Sequence, residues 1–490
     1  MAQEHFDRLT ALDASFLAQE GPCAHMHVGA VTLFEGPPPP FDELLDALRM
    51  RLHLVPRYRQ KLAVPPAGTG RPLWVDDPTF NIEYHVRHSA LPAPGAADQL
   101  LALAGRIFSQ QLDRARPLWE LWLIEGLENG GFALISKTHH AMIDGVSGVD
   151  LATVIFDLSP VPADVEHPDE PWQPAPEPTA AEVLAAGARS LLRSGARTAT
   201  VAAAMLSRPG ATLHGAREAA EGIGEIVWAG MNPAPETPLN VPIGPHRRYV
   251  VVRSALRDFK AVKDAFGGTV NDVVLAVVSG ALRDWLHARG VRTQGLELRA
   301  LVPVSIRGAN ERGALGNRIA AMRGPLPVYV EDAVARLETV RRAMDGLKES
   351  KQAVGAEVLA SVQNFAPPTL LAQASRLNFS TRLFNLIVTN VPGPQFPLYV
   401  RGRELLEVFP VAFLPRDHAL AVAIMSYNGQ MNFGLLGDYD ALPDIGLIAE
   451  GIEASLAELV ARAARETGGG ADGAAENGRA GAPRRARAKA

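Results

Sequence analysis

Cysteine is almost missing from this chain of 490 residues, where Cys23 stands alone. A disulfide framework within the chain is thereby excluded, and a reducing, cytoplasmic compartment fits. Excess positive charge is missing too. With 48 Lys and Arg against 53 Asp and Glu, the formal net charge is -5, a poor balance for neutralising several phosphates, so a general nucleic-acid binder is not expected. No uncharged apolar run reaches about 18 residues, so no transmembrane helix is predicted. The opening "MAQEHFDRLTALDASF" lacks the basic start and apolar core of a secretory signal.

What is present is the composition of a folded protein, 47% hydrophobic and 21% charged. Its length exceeds what one ordinary core holds, so two domains are predicted. Residues 1–159 alternate strand and helix patterns: "HMHVGAVTLF" is a strand, "FDELLDALRMRLHLV" a helix, and "LWLIEGL" and "GFALISKTHH" are strands joined across Asn129, Gly130 and Gly131. Residues 160–244 form a connector. It starts with seven prolines between positions 160 and 178, which forbid a continuous helix or an interior strand. It continues as an Ala-rich helical stretch bearing Arg189, Arg193 and Arg197, either packed across the domains or lying on an anionic lipid surface. Residues 245–466 return to mixed α/β patterning, with a hairpin predicted at Asn428 and Gly429. Residues 467–490, Gly- and Ala-rich and ending in Arg484, Arg485, Arg487 and Lys489, are predicted to be disordered.

The stretch "KTHHAMIDGVSG" holds the densest chemistry. "FALISK" delivers His139 and His140 from a strand into a loop, a place where a rigid scaffold can present reactive groups. A metal site is not expected: it needs three or four ligands, and adjacent strand side chains point to opposite faces. His25 and His27 share a strand face but nothing in the sequence joins them to the first pair. A serine nucleophile is unsupported, because Ser147 in "GVSG" lacks the G-x-S-x-G spacing. The remaining reading is a histidine acting directly as a general base.

"HHAMIDG" resembles the HHxxxDG motif of the chloramphenicol acetyltransferase-like superfamily. With "LDASFL", "VPRYRQKL", "RPLWELWLIEGL", "NDVVLA", "GNRIA", "TNVPGP" and "SYNGQMNFG" in order, the chain looks like the bacterial wax ester synthase / acyl-CoA:diacylglycerol acyltransferase family over residues 8 to about 465. The resemblance implies a mixed α/β fold of two acetyltransferase-like domains with an active-site tunnel between them. It implies transfer of a fatty acyl group from acyl-CoA to diacylglycerol or a long-chain alcohol, with no cofactor beyond that CoA substrate. His140 is the implied base, while His139, Asp144 and Gly145 support the motif. It also implies product insolubility and hence a peripheral place at a membrane face or lipid droplet.

Asn271 has two readings, an ordinary helix N-cap or, through the family motif, oxyanion support opposite His140; Asp272 is expected to be architectural. Pro117, Leu118 and Trp119 resemble a family motif lining or supporting the tunnel, with Trp122 a core aromatic. Asn390, Pro392 and Gly393 read as a rigid turn that in the family closes the site. Two other functions share the central motif: condensation on carrier-protein thioesters, and lipid-surface binding by a decayed site. Acceptor preference and oligomeric state are not fixed by any motif.

Overall fold

A computed structural model describes residues 7–65, 71–142, 154–162, 171–183, 232–305, 319–349 and 380–477. In chain order its first-half strands are β1 (Asp7–Arg8), β2 (His27–Phe34), β3 (Gln60–Ala63), β4 (Leu73–Asp76), β5 (Val86–Ala90), β6 (Trp119–Glu125) and β7 (Phe132–His139). The remainder are β8 (Arg247–Val252), β9 (Leu298–Ser305), β10 (Ile319–Leu326), β11 (Leu386–Pro392), β12 (Tyr399–Val400), β13 (Arg403–Val411), β14 (Leu420–Tyr427) and β15 (Gln430–Asp438). The helices are α1 (Ala11–Gln19), α2 (Phe41–Arg51), α3 (Ile82–His85), α4 (Ala97–Phe108), α5 (Leu256–Phe266), α6 (Val270–Ala288), α7 (Ala333–Glu349) and α8 (Ile445–Asn477).

Two six-stranded mixed sheets organise the molecule, ordered β12-β13-β2-β7-β6-β5 and β10-β9-β11-β14-β15-β8, with a small sheet β1-β4-β3 beside the first. In the first sheet β7 lies between β2 and β6, antiparallel to both, with His27 opposite His139. A central strand covered on both faces reads as a nearly continuous apolar run, and "FALI" opens β7 fully buried. The second sheet is backed by α6, whose residues Val273 to Leu282 are all buried.

The sequence division at residue 245 is crossed by the sheets. β13 pairs with β2, Val408 opposite Thr32 and Pro410 opposite Ala30, so a strand from the C-terminal half completes the first sheet. Tyr249 on β8 then ties the sheets together, its hydroxyl donating to the Phe409 and Pro410 carbonyls at 3.0 Å each. Close approach there requires Gly434, since a Cβ at that position would lie 1.9 Å from the Pro410 oxygen. Periodicity reports an element's own buried face and carries no label for the sheet it joins.

Both hairpins form. The turn between β6 and β7 places Gly130 at φ 75°, and Asn428 and Gly429 at φ 43° and 83° connect β14 to β15, the left-handed geometry that favours Asn-Gly. At the C-terminus α8 continues past residue 467 to Asn477. This is an extension of a helix anchored by buried Ile448, Ile452, Leu456 and Leu459, since propagation costs far less than nucleation. Residues 478–490 and the arginines of the connector at 189, 193 and 197 lie outside the described residues. Among the described residues no single helix is long and apolar enough to cross a membrane.

Candidate active site

His140 begins a short 3-10 turn, His140–Met142, directly after β7. Its backbone N–H donates to the Met26 carbonyl at 2.8 Å, so the ladder to the β2 strand holds the base of the ring. The imidazole stacks on Phe16 of α1, with centroids 4.0 Å apart, and meets the edge of Phe413 at 5.5 Å. The ring is half-buried. Burial between these rings lowers its pKa to about 4, opposed by its own backbone carbonyl, because an apolar surround disfavours the charged form. His140 is therefore neutral near pH 7 and able to take a proton. Among the described residues its buried Nδ1 has no partner in another residue.

His139 points to the other side and is fully buried. Its Nδ1 accepts from the Ala141 N–H at 3.0 Å, which places the ring proton on Nε2 in the neutral form. That Nε2 faces the Glu20 carboxylate at 3.7 Å, and His27 Nε2 faces the other Glu20 oxygen at 3.7 Å. Arg114 donates to Glu20 through Nε at 2.6 Å and to the Leu17 carbonyl at 2.8 Å. Burial holds the His139 pKa at about 3 despite Glu20, and pushes His27 well below its ordinary range. The expectation that nothing joins His27 to the motif pair is thus corrected: Glu20, at the end of α1, joins them. Through Nδ1, His139 also fixes the backbone of the turn that carries His140.

Glu20 and Arg114 were not recognisable from sequence, because each is an isolated charged residue in an ordinary polar context. The "EGPCAHMH" stretch gave only a weak signal, a carboxylate a few residues from two histidines. Lys137 likewise carries no mark in the sequence beyond its place in a strand. It is fully buried, donates to the Ile107 and Gln110 carbonyls at 2.9 and 2.7 Å, and burial lowers its pKa to about 8 although Glu120 opposes this. Among the described residues no group of three or more His, Cys, Asp or Glu is arranged to hold a metal ion.

Asp144, Gly145 and Ser147 lie outside the described residues. Residues 154–157, further along the chain, are pinned: Arg51 pairs with Asp157 and donates to the Val154 carbonyl at 3.2 Å, while Asp157 and Tyr399 exchange backbone bonds at 2.8 and 2.9 Å.

Leu118 and Trp119 are core residues, buried at 0% and 1% exposure, and Pro117 is buried beside them. Their contribution is support. The Leu118 carbonyl accepts from the His139 N–H at 2.9 Å, and Trp119 donates to the Tyr58 carbonyl at 2.8 Å while stacking on His85. Trp122 is half-buried, its Nε1 donating to Glu120 at 3.1 Å.

The N-cap reading of Asn271 is corrected. Thr269 caps α6 and Asp272 completes the box: Asp272 N–H donates to Thr269 Oγ1 at 3.2 Å and Thr269 N–H to Asp272 Oδ2 at 2.7 Å. Both side chains satisfy otherwise orphaned donors. Asn271 sits half-buried in the first turn, on a helix packed against α8, α7, α5 and β10 of the C-terminal half. The rigid-turn reading of the later motif is also corrected. Asn390 and Pro392 finish β11, opposite Ile424 and Ser426 of β14, because parallel pairing to β14 extends the strand through the proline. The turn starts at Gly393, whose N–H donates to the Ser426 carbonyl at 2.9 Å.

A two-sheet molecule of this kind, with a histidine pair leaving a central strand, has the fold of the chloramphenicol acetyltransferase-like class. The first condensation domain of a calcium-dependent antibiotic synthetase superposes with a TM-score of 0.55 over 93% of this chain and 97% of its own, at 18% identity, a likeness of fold. The wax ester synthase/diacylglycerol acyltransferase from Marinobacter aquaeolei superposes with a TM-score of 0.64 at 31% identity, covering 93% of this chain and 100% of that one. The wax ester synthase/diacylglycerol acyltransferase catalytic domain matches residues 9–274, and the C-terminal domain of the same family matches residues 315–460. A Mycobacterium tuberculosis protein described as a probable diacylglycerol O-acyltransferase is 36% identical over 93% of this chain and 96% of its own length. The chain belongs to the wax ester synthase/diacylglycerol acyltransferase family, and it is an acyltransferase.

Proposed function

We propose that the protein transfers a fatty acyl group from acyl-CoA to the hydroxyl of diacylglycerol or a long-chain alcohol. The observation that carries this reading is the neutral His140 ring, clamped between Phe16 and Phe413 at the end of β7. With the proton on the buried Nδ1, the Nε2 lone pair takes the acceptor's hydroxyl proton as its oxygen attacks the thioester carbonyl. The tetrahedral intermediate then collapses, the carbon–sulfur bond breaks, and the same proton passes to the departing thiolate. Products are the ester and free CoA, so atoms and charge balance with no cofactor. A base in that position contributes about 10²- to 10⁴-fold, and binding both substrates in one tunnel adds the advantage of fixed orientation. Asn271 as oxyanion support and a tunnel between the sheets remain part of this proposal. So does work at a lipid surface, which the insolubility of acceptor and product supports.

The test is thiol release from palmitoyl-CoA with the lipid products resolved, offering hexadecanol or dioleoylglycerol to wild type and His140→Ala. Acceptor-dependent release that is lost in a folded His140→Ala variant is expected. Undiminished turnover in that variant would overturn the assignment. Transfer from an acyl carrier protein but not from CoA would instead favour condensation on carrier thioesters.

A further inference from the structure

One face of the second sheet carries two arginines for which the described residues supply one side-chain hydrogen bond, from Arg299. Arg323 on β10 is opposite Leu301 on β9, and Arg299 lies two residues before Leu301, so both side chains leave the same face. The other face is occupied by helices, since a Cβ at Gly324 would meet Val302, Met344 of α7 and Leu275 of α6. The arginine face looks towards the first sheet. Following the pairing from Leu301 to Ile387 of β11, two residues on to Thr389, then to Ala423 of β14 and Gly434 of β15, the same face reaches the Pro410 carbonyl of β13.

Arg323 is half-buried, and its Nε is shielded from water with no hydrogen-bond partner among the described residues. Burial first, and Arg299 second, lower its pKa. Arg299 spends one amine on the Asn232 carbonyl at 2.6 Å. Neighbouring cations partly withdrawn from water repel and lose hydration, and a bound anion relieves both costs. Guanidinium forks match phosphate oxygens in particular.

We propose that Arg323 and Arg299 form a phosphate-ester site that binds the nucleotide end of acyl-CoA. This rests on the acyl-CoA reading above. β10 and β14 are three strand steps apart, about 14 Å at ~4.8 Å per step. The segment entering β14 carries Phe413, which touches His140. A donor lying across this face would have its phosphates at the sheet edge and its thioester towards the histidine.

The experiment uses the full-length protein and two acyl donors, palmitoyl-CoA and S-palmitoyl-pantetheine, which lacks phosphate. The readout is the ratio of their KM values, with CoA binding followed separately by calorimetry. Arg323→Gln is expected to raise the ratio about tenfold, the equivalent of ~1.4 kcal/mol, and to weaken CoA binding to match. Arg323→Lys should fall between, since it keeps the charge and loses the fork. An unchanged ratio, with both KM values risen together or neither moved, would overturn the site; a thermal melt of each variant identifies misfolding, and Arg299→Gln then gives an independent reading. Loss of binding to phosphatidylglycerol vesicles with CoA binding intact would assign the site to a lipid headgroup and overturn the CoA assignment. If wild type used neither thioester while CoA binding still depended on Arg323, the proposed function would fail and the site would stand.

Discussion

Replacing Phe16 by alanine removes the ring stacked on His140 and opens the imidazole to water. In the intact protein burial lowers the His140 pKa from 6.5 to about 4, a difference equivalent to ~3.4 kcal/mol between the charged and neutral ring. That figure is an upper bound, because a half-buried ring is already partly screened by solvent. The sign is fixed by the chemistry: only the neutral ring accepts a proton, so kcat/KM falls as pH drops through the free-enzyme pKa. Wild type is expected to show an acid limb near pH 4, and Phe16→Ala an acid limb displaced upwards towards 6.5. The assay is thiol release from palmitoyl-CoA with saturating hexadecanol across that range, in buffers of constant ionic strength. Loss of a buried Phe costs about 3–5 kcal/mol of stability, so each pH point needs a folding check, and Phe16→Leu offers a gentler version. A wild-type limb already near 6.5 would refute desolvation as the governing effect. A limb that stays near 4 in both variants would refute Phe16 as its source.

Acid should also unfold the protein through its buried histidines. His139 and His85 stay neutral in the folded state down to about 3 and about 4 but protonate below 6.5 when unfolded, so the unfolded chain binds more protons in between. Stability then falls as pH drops below 6.5, by ~1.4 kcal/mol per pH unit for each; urea denaturation giving equal stabilities at about pH 6.5 and about pH 5 would refute it. Arg51→Ala should cost about 3–5 kcal/mol by stranding buried Asp157, and a loss under about 1 kcal/mol on urea denaturation would show that the pair does not pin residues 154–157.

The sequence by itself determined the mixed α/β patterning, the two hairpins and the position of His140 after a buried strand. These are local facts, since alternation, Asn-Gly turns and a strand ending in histidines are written in consecutive residues. It could not show that Glu20 reaches both His27 and His139, because those contacts span 7 and 119 positions of chain. For the same reason it could not show that β13 completes the first sheet beside β2. At Asn271 two residues could each have capped the helix, and the choice fell to Thr269 once Asp272 closed the box with it. Leu118 and Trp119 resemble a motif that lines or supports the tunnel, and a hydrophobic core takes both, because Trp119 opens β6 between β7 and β5 with Leu118 just before it. Tertiary structure alone set two half-buried arginines on one sheet face, where their mutual repulsion becomes a reason to bind an anion.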